Sequence, residues 1–147
     1  KKPVFTKLTP NVTNIVEVAK AAEKAGTDAI TAINSVKAMA IDVETKKPIL
    51  ANKMGGLSGP AIKPIAVRCI YEIYEAVKVP IIGCGGITEW QDAVEFMLAG
   101  ASAIQIGTAL YYRDLPVFNE ITAGIQSYLT EKKFEEVSEI VGLSHTS

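Results

Sequence analysis

Four short runs of apolar, mostly β-branched residues recur along the chain, and a helical pattern follows each of them. Runs of this length and composition are typical of strands buried on both faces, as in a parallel sheet. The four predicted strands are Pro3–Leu8, Asp28–Ile33, Val79–Gly83 and Ser102–Ile106. The alternation of strand and helix predicts an α/β fold of four parallel βα units with right-handed crossovers.

Capping residues and glycines mark the ends of the helical patterns. The predicted helices cover Thr13–Ala25, about Ile62–Val77, Thr88 to Gly100, a stretch from near Asp114, and Phe134–Val141. Asn14 and Glu17 have the spacing of a capping box at the first helix, and Thr88 and Gln91 have it at the third. These signals predict where the first and third helices begin.

The joint between helix and strand repeats within the chain. "AGTDAI" at residues 25–30 and "AGASAI" at residues 99–104 both lead from a helix end, through a glycine, into a strand. Such an echo favours a repeating βα architecture, either half of an eight-stranded (β/α)8 TIM barrel or a small doubly wound sheet. Because the chain opens directly on a strand, we expect residues 1–147 to be a single segment of a longer or split protein.

One connection is much longer than the others. Residues 34–60 separate the second strand from the next helix, and within them "AIDV" and "PILA" flank "ETKK", which predicts a small hairpin. Long loops in compact domains are often functional. This loop leaves the carboxyl end of a strand, which is where βα folds bind ligands.

Composition narrows the classes of function. Hydrophobic residues make up 48% of the chain, and its formal net charge is −1 without a basic block, so a nucleic-acid partner is not expected. No apolar run approaches the roughly 20 residues of a membrane span, so no membrane association is expected. The two cysteines, Cys69 and Cys84, indicate no disulfide framework, which favours a reducing cytoplasm.

Residues suited to ligand binding all follow the carboxyl ends of the predicted strands. In a βα barrel these positions line one rim. The candidates are Lys7, Asn34, Ser35, Gly59, Gly85, Gly86, Gly107 and Thr108. Backbone amides of Gly85 and Gly86 before a helix suit a phosphate, and Gly107 and Thr108 repeat the arrangement one strand later. The alternative is that the glycines only form tight turns. The occurrence of the same arrangement after two consecutive strands argues against this alternative.

The polar candidates have ordinary alternatives. Lys7 is either a buried lysine that needs an anionic partner or a solvated rim lysine. Asn34 and Ser35 either contact a planar polar ligand or cap a turn. Cys84 is interpreted as a small strand-end residue, because the single histidine, His145, lies in the tail. No metal-ligand cluster, carboxylate pair or nucleophile–base set occurs at the rim, so neither a metal site nor a general base is predicted.

Five ordered motifs span nearly the whole chain, namely "FTKLTPNV", "AINS", "GGLSGPAIKPIA", "IIGCGGI" and "IQIGTAL". In this order they resemble the C-terminal half of the class 1 dihydroorotate dehydrogenases. The resemblance implies a flavin oxidoreductase with a (β/α)8 barrel that holds FMN at its C-terminal rim, with the present strands as the fifth to eighth. It also implies that the catalytic base, a cysteine or serine, lies in the N-terminal half, so that this chain carries no catalytic residue of its own.

The same resemblance assigns roles to the candidates. Lys7 would lie beside the flavin ring, Ile33 would contact it through its backbone, and Asn34 and Ser35 would bind the pyrimidine of dihydroorotate or orotate. The residues implied to hold the FMN phosphate are Gly59, Gly85, Gly86, Gly107 and Thr108. "GCGG" favours the NAD-linked subtype, which implies a homodimer or a heterotetramer with an iron–sulfur and FAD subunit.

Other interpretations stay open at this point. The FMN domain of dihydropyrimidine dehydrogenase has similar glycine-rich loops. A half-barrel that binds a phosphorylated ligand without catalysis, and a scaffold whose glycines are only turns, are the alternatives from other classes.

Overall fold

A computed structural model describes residues 2–146 of the chain. The strands are β1 (Phe5–Leu8), β2 (Ala29–Ala32), β3 (Val36–Ala38), β4 (Ile41–Asp42), β5 (Lys47–Pro48), β6 (Gly55–Leu57), β7 (Ile81–Cys84) and β8 (Ala103–Gln105). The α-helices are α1 (Ile15–Lys24), α2 (Lys63–Tyr74), α3 (Trp90–Leu98), α4 (Ala109–Arg113) and α5 (Pro116–Lys132). Short 3₁₀ helices cover Pro60–Ile62, Val137–Ile140 and Leu143–His145.

The central sheet is parallel and has the strand order β1-β2-β7-β8. These are the four predicted strands, so the mixed α/β class and the parallel sheet are confirmed. Spatial order follows chain order without the reversal that marks a doubly wound sheet. The arrangement is therefore compatible with part of a (β/α)8 barrel.

One face of this sheet carries the hydrophobic core. Ile30 and Ile81 are buried on the strands, and Ile70 and Phe96 are buried on α2 and α3. Gly83 makes room for this packing, because a Cβ at that position would lie 2.5 Å from Cδ1 of Phe96. The helices therefore cover the sheet on this side at close-packed distances.

The opposite face of the sheet is open and concave. Phe5 is 55% exposed, and Lys7, Ala103 and Gln105 are also exposed. The Lys7 Nζ atom lies 3.2 Å from Oε1 of Gln105, although the two residues belong to the outer strands β1 and β8. These side chains extend towards each other across the whole sheet, as expected on the inner face of a curved sheet.

The long connection between β2 and α2 forms two small antiparallel sheets. The predicted hairpin is confirmed as β4 and β5, where Ile41 pairs with Pro48. A second pair, β3 with β6, was not predicted from the sequence. The β3–β6 pair brings the two ends of this connection together next to the end of β2.

Helix starts agree with the sequence only in part. Asn14 caps α1 by accepting hydrogen bonds from the amides of Val16 and Glu17, at 3.0 and 3.4 Å. The predicted capping box of Thr88 and Gln91 is wrong, since α3 begins at Trp90 and the box is formed by Glu89 and Asp92. The helix starts later because the Asp92 carboxylate accepts the amides of both Thr88 and Glu89.

The last third of the chain departs further from the prediction. A separate helix, α4, precedes α5, and Asp114 divides them with a left-handed φ of 56°. The helix predicted over Phe134–Val141 is wrong, because only Val137–Ile140 is helical there and it forms a 3₁₀ turn. Across residues 2–146, no helix combines the length and the apolar character needed to cross a bilayer.

Candidate functional site

A cleft of about 150 Å³ opens where β1, β2, β7 and β8 end. All of the residues predicted from the sequence line it, namely Lys7, Ile33, Asn34, Ser35, Gly59, Gly85, Gly86, Gly107 and Thr108. Ser58, Ile62 and Cys84 complete the lining. Strand ends that are far apart in the sequence therefore meet at one rim, as the parallel topology requires.

The turn after β7 brings backbone close to backbone. Gly85 and Gly86 have φ values of 134° and 82°, which side chains rarely adopt. A Cβ on Gly86 would lie 2.8 Å from the carbonyl oxygen of Gly59 and 2.9 Å from the amide nitrogen of Lys63. Glycine is required here both by conformation and by space.

Two residues that line this cleft have free backbone amides. Within residues 2–146, the backbone amides of Gly86 and Gly107 donate no hydrogen bond to a protein acceptor. A Cβ added to Gly107 would meet no heavy atom within 4 Å, so the space beside this residue is open. The hydroxyl of Thr108 donates to Oγ of Ser58 at 2.9 Å, which ties the loop after β8 to the loop before α2. The rim thus offers hydrogen-bond donors that suit an anionic ligand.

Lys7 is exposed and lies among neutral groups. Its Nζ atom is 3.5 Å from Sγ of Cys84 and 3.2 Å from Oε1 of Gln105. It forms no ion pair with any residue in the described part of the chain, and it is the only charged residue in the cleft lining there. The solvated alternative therefore holds for Lys7, and its charge is available to a ligand.

Asn34 and Ser35 line the cleft just after β2, where the peptide bond between Ala32 and Ile33 is cis. The side-chain oxygen of Asn34 accepts the amide of Ser35 at 2.8 Å, so the turn role considered for this asparagine is present. Asn11 holds the segment from the other side, since its Nδ2 donates to the Ser35 carbonyl at 3.0 Å. A Cβ on Gly56 would overlap the hydroxyl of Ser35.

An ion pair lies directly behind the glycine turn. Nζ of Lys63 is 2.7 Å from Oδ1 of Asp92 and 2.8 Å from Oε2 of Glu95. Burial raises the pKa of Asp92, but hydrogen bonds from Lys63, Thr88 and Glu89 outweigh this effect and hold the pKa below its usual value. Hydrogen bonds to Asp92 and Glu95 raise the pKa of Lys63. Both groups are therefore charged at neutral pH.

The remaining titratable groups offer little catalytic chemistry. Cys69 is buried in α2, where burial raises the pKa of its thiol. The cleft lining within residues 2–146 includes neither a carboxylate nor an imidazole. No cluster of three potential metal ligands occurs in that part of the chain. The described lining of the cleft therefore offers neither of the two side-chain types that most often act as a general base.

Three residues that line the cleft or lie behind it were not predicted from the sequence. Ser58 lies inside the "GGLSGPAIKPIA" motif, where a hydroxyl next to Gly59 could have indicated it. Lys63 and Asp92 meet only in the fold, because they are 29 residues apart in the chain.

The family model described as dihydroorotate dehydrogenase matches residues 1–129. The chain belongs to the dihydroorotate dehydrogenase family. It is 59% identical over 143 residues to the protein of Pyrococcus abyssi named dihydroorotate dehydrogenase B (NAD(+)), catalytic subunit, covering 97% of this chain and 48% of that protein. Proteins with the same name from Methanothermobacter thermautotrophicus and Methanosarcina acetivorans are 54% and 52% identical; each match covers 97% of this chain, and they cover 48% and 46% of those relatives.

The family resemblance of the motifs is thus confirmed, and the dihydroorotate dehydrogenase relatives named above carry the NAD-linked designation that "GCGG" favoured. The chain spans about half the length of the curated relatives that it matches. Their names include the term catalytic subunit, which in those proteins implies a further subunit.

Proposed function

We propose that the chain is part of an FMN-dependent oxidoreductase that oxidises dihydroorotate to orotate in pyrimidine biosynthesis. In this proposal residues 1–147 form one segment, the C-terminal half of a (β/α)8 barrel, and β1, β2, β7 and β8 are its fifth to eighth strands. The segment supplies the FMN phosphate site and part of the pyrimidine site. The observation that carries the proposal is the pair of free backbone amides, those of Gly86 and Gly107, at a cleft where Gly85 and Gly86 leave no room for side chains.

The residues present fit the phosphate end of FMN. Backbone amides of Gly59, Gly85, Gly86, Gly107 and Thr108 would hold the phosphate oxygens. A side chain at Gly86 would fill the space between this turn and Gly59. Charge-assisted bonds to backbone amides are stronger than neutral ones, so a few such contacts suffice to anchor the cofactor.

Lys7 and Ile33 would meet the flavin ring. Bound FMN supplies the two-electron acceptor of the reaction. Lys7 would place its ammonium at the electron-rich edge of the ring, and its neutral surroundings leave that charge uncompensated by the protein. Ile33, buried at the end of β2, would contact the ring through its backbone.

Asn34 and Ser35 would orient the substrate. The Asn34 side-chain oxygen accepts from the Ser35 amide, which leaves the Asn34 amide group and the Ser35 hydroxyl for the polar edge of a pyrimidine. The base that removes the substrate proton would be a cysteine or serine in the half of the relatives that this chain does not match. The chain itself would then bind and orient without transferring the proton.

The proposed partners follow from the same family. The electron acceptor would be NAD, reached through an iron–sulfur and FAD subunit, and the assembly would be a homodimer or a heterotetramer with that subunit. The names of the relatives support a partner subunit for those proteins. Both cysteines are free thiols, which agrees with the proposed cytoplasmic location.

Binding of FMN against riboflavin tests the proposal, because riboflavin lacks the phosphate. We expect the 147-residue chain to bind FMN more tightly than riboflavin in a fluorescence titration. Gly107→Ala should weaken FMN binding by about 10- to 100-fold, because the added methyl group would occupy the open space beside the amide and keep the phosphate from reaching it, and a hydrogen bond to a charged group is worth roughly 1.5–3 kcal/mol. It should leave the free energy of unfolding unchanged or slightly higher, because the added Cβ meets nothing within 4 Å.

Gly26→Ala serves as the control, since Gly26 also has open space around it but lies at the other end of the sheet. It should not change FMN affinity. Equal affinity of the unmodified chain for FMN and riboflavin would contradict the phosphate site. A loss of stability in Gly107→Ala without a loss of FMN affinity would favour the scaffold alternative.

A further inference from the structure

We propose that Lys63 is a positioning residue for the phosphate end of the cleft: its ion pair with Asp92 holds the Gly85–Gly86 turn in register with Gly59. This inference rests on the proposed function and goes beyond it, because neither Lys63 nor Asp92 lines the cleft. Both residues act through the backbone that they hold.

Asp92 fixes the segment that follows the glycine turn. Its Oδ2 atom accepts the amide of Thr88 at 2.8 Å, the hydroxyl of Thr88 at 2.9 Å and the amide of Glu89 at 3.0 Å. Its Oδ1 atom accepts from Lys63 at 2.7 Å. One carboxylate, with 12% of its side chain exposed, therefore ties the β7–α3 loop to the first residue of α2.

Lys63 lies between two glycine loops, the one that contains Gly59 and the one that contains Gly85 and Gly86. It begins α2, and the 3₁₀ turn Pro60–Ile62 separates it from Gly59. Both the amide nitrogen and the Cβ of Lys63 lie 2.9 Å from the position of a Cβ on Gly86. The backbone of Lys63 thus forms one wall of the Gly86 turn, and its side chain holds the loop on the far side of that turn.

These contacts connect the loop at Gly59 with the Gly85–Gly86 turn through one ion pair. Gly59 leads into Lys63, Lys63 pairs with Asp92, and Asp92 binds the amides that follow Gly86. If the Lys63–Asp92 pair is lost, Lys63 keeps only its pair with Glu95, whose carboxylate accepts no amide of the β7–α3 loop within residues 2–146. The spacing of the amides that face the cleft should then become less uniform, and a ligand that needs several of them at once should lose affinity.

Lys63→Met tests this link, with the ratio of FMN to riboflavin affinity as the readout. Methionine keeps most of the apolar stem and removes the charge. We expect the FMN affinity to fall by about 10-fold or more and the riboflavin affinity to stay within about 2-fold, since one charged contact is worth roughly this factor. Arg68→Met is the matched control, because Arg68 forms a surface ion pair with Glu72 on the same helix. It should change neither affinity.

Asp92→Asn provides a second variant with nearly unchanged shape. It keeps acceptor capacity for Thr88 and Glu89 and loses the charge that attracts Lys63. We expect the same selective loss of FMN affinity and faster hydrogen exchange of the amides from Gly86 to Glu89. The double variant should be no worse than the more severe single variant, because both single variants remove the Lys63–Asp92 interaction and Lys63→Met also removes the pair with Glu95.

The outcomes separate this inference from the proposed function. If the unmodified chain does not prefer FMN over riboflavin, the phosphate site fails and the inference fails with it. If it does prefer FMN and both variants keep that preference, only the role of Lys63 is refuted. A drop in unfolding temperature with an unchanged affinity ratio also refutes it, because that result indicates a purely structural ion pair.

Discussion

Replacement of Gly86 by alanine isolates the close approach of the two glycine loops. The φ of Gly86 is 82°, and a left-handed residue other than glycine costs roughly 1–2 kcal/mol. The new Cβ would also lie 2.8–2.9 Å from backbone atoms of Gly59 and Lys63, which cannot rotate away. Overpacking of this kind costs roughly 1–3 kcal/mol. Gly86→Ala should therefore lower the free energy of unfolding by about 2–5 kcal/mol.

Gly26→Ala measures only the part of this free energy that comes from the left-handed φ. Its φ is 88°, close to that of Gly86, but a Cβ there would meet nothing within 4 Å. We expect this variant to lose only about 1–2 kcal/mol. The difference between the two variants reports the contact with Gly59 and Lys63.

Urea denaturation followed by the fluorescence of Trp90, the single tryptophan, gives both values. The slope with denaturant should be the same for both variants, so that the midpoints can be compared directly. If Gly86→Ala is no less stable than Gly26→Ala, Gly86 is not in close contact with Gly59 and Lys63, and the structural basis of the proposed phosphate site is removed.

Three further predictions concern the core, a helix cap and pH. Phe96→Ala should cost about 3–5 kcal/mol in unfolding free energy, because Phe96 is fully buried, whereas Phe118→Ala, at a side chain 42% exposed, should cost clearly less; similar losses would contradict the assigned core. Asn14→Ala should cost about 0.5–2 kcal/mol by removing the cap of α1, and helical circular dichroism during thermal unfolding checks this. Since the folded-state pKa of Asp92 is depressed, its stabilisation is present above the unfolded value of about 3.9 and is lost as the pH falls through the lower folded value. The free energy of unfolding, measured by denaturation across about pH 2–6, should therefore fall less at acid pH in Asp92→Asn than in the unmodified chain. An equal fall in both would contradict the depressed pKa of Asp92.

The parallel sheet and the rim of the cleft could be predicted from the sequence because both depend on local signals. Apolar runs mark strands, and glycines after strands mark turns. Once the topology is parallel, the ends of all the strands must meet, so the site follows without knowledge of any contact. Lys7 and Gly107 were placed at one cleft for this reason.

Features that depend on contacts across the fold were missed or misplaced. The strand β6 reads "GGL", and glycine has low strand propensity, but Gly56 is needed there because the hydroxyl of Ser35 occupies the space of a side chain. Helix α3 begins at Trp90 because the Asp92 carboxylate accepts the amides of Thr88 and Glu89, and Lys63 from another helix holds that carboxylate in place. The apolar pattern after Phe134 predicted a helix, yet that segment packs as a 3₁₀ turn whose Ile140 is buried beside α3.

The coincidence of chain order and spatial order in the β1-β2-β7-β8 sheet makes the chain modular. Each βα unit packs on the units that precede and follow it, so no connection has to thread past another. A unit exchanged with the corresponding stretch of a relative at 52–59% identity would keep the same neighbours on both sides. Recombination at the joints around Gly26 and Gly100 should therefore yield folded chimaeras, whereas cuts within the rim loops should separate residues that line one cleft.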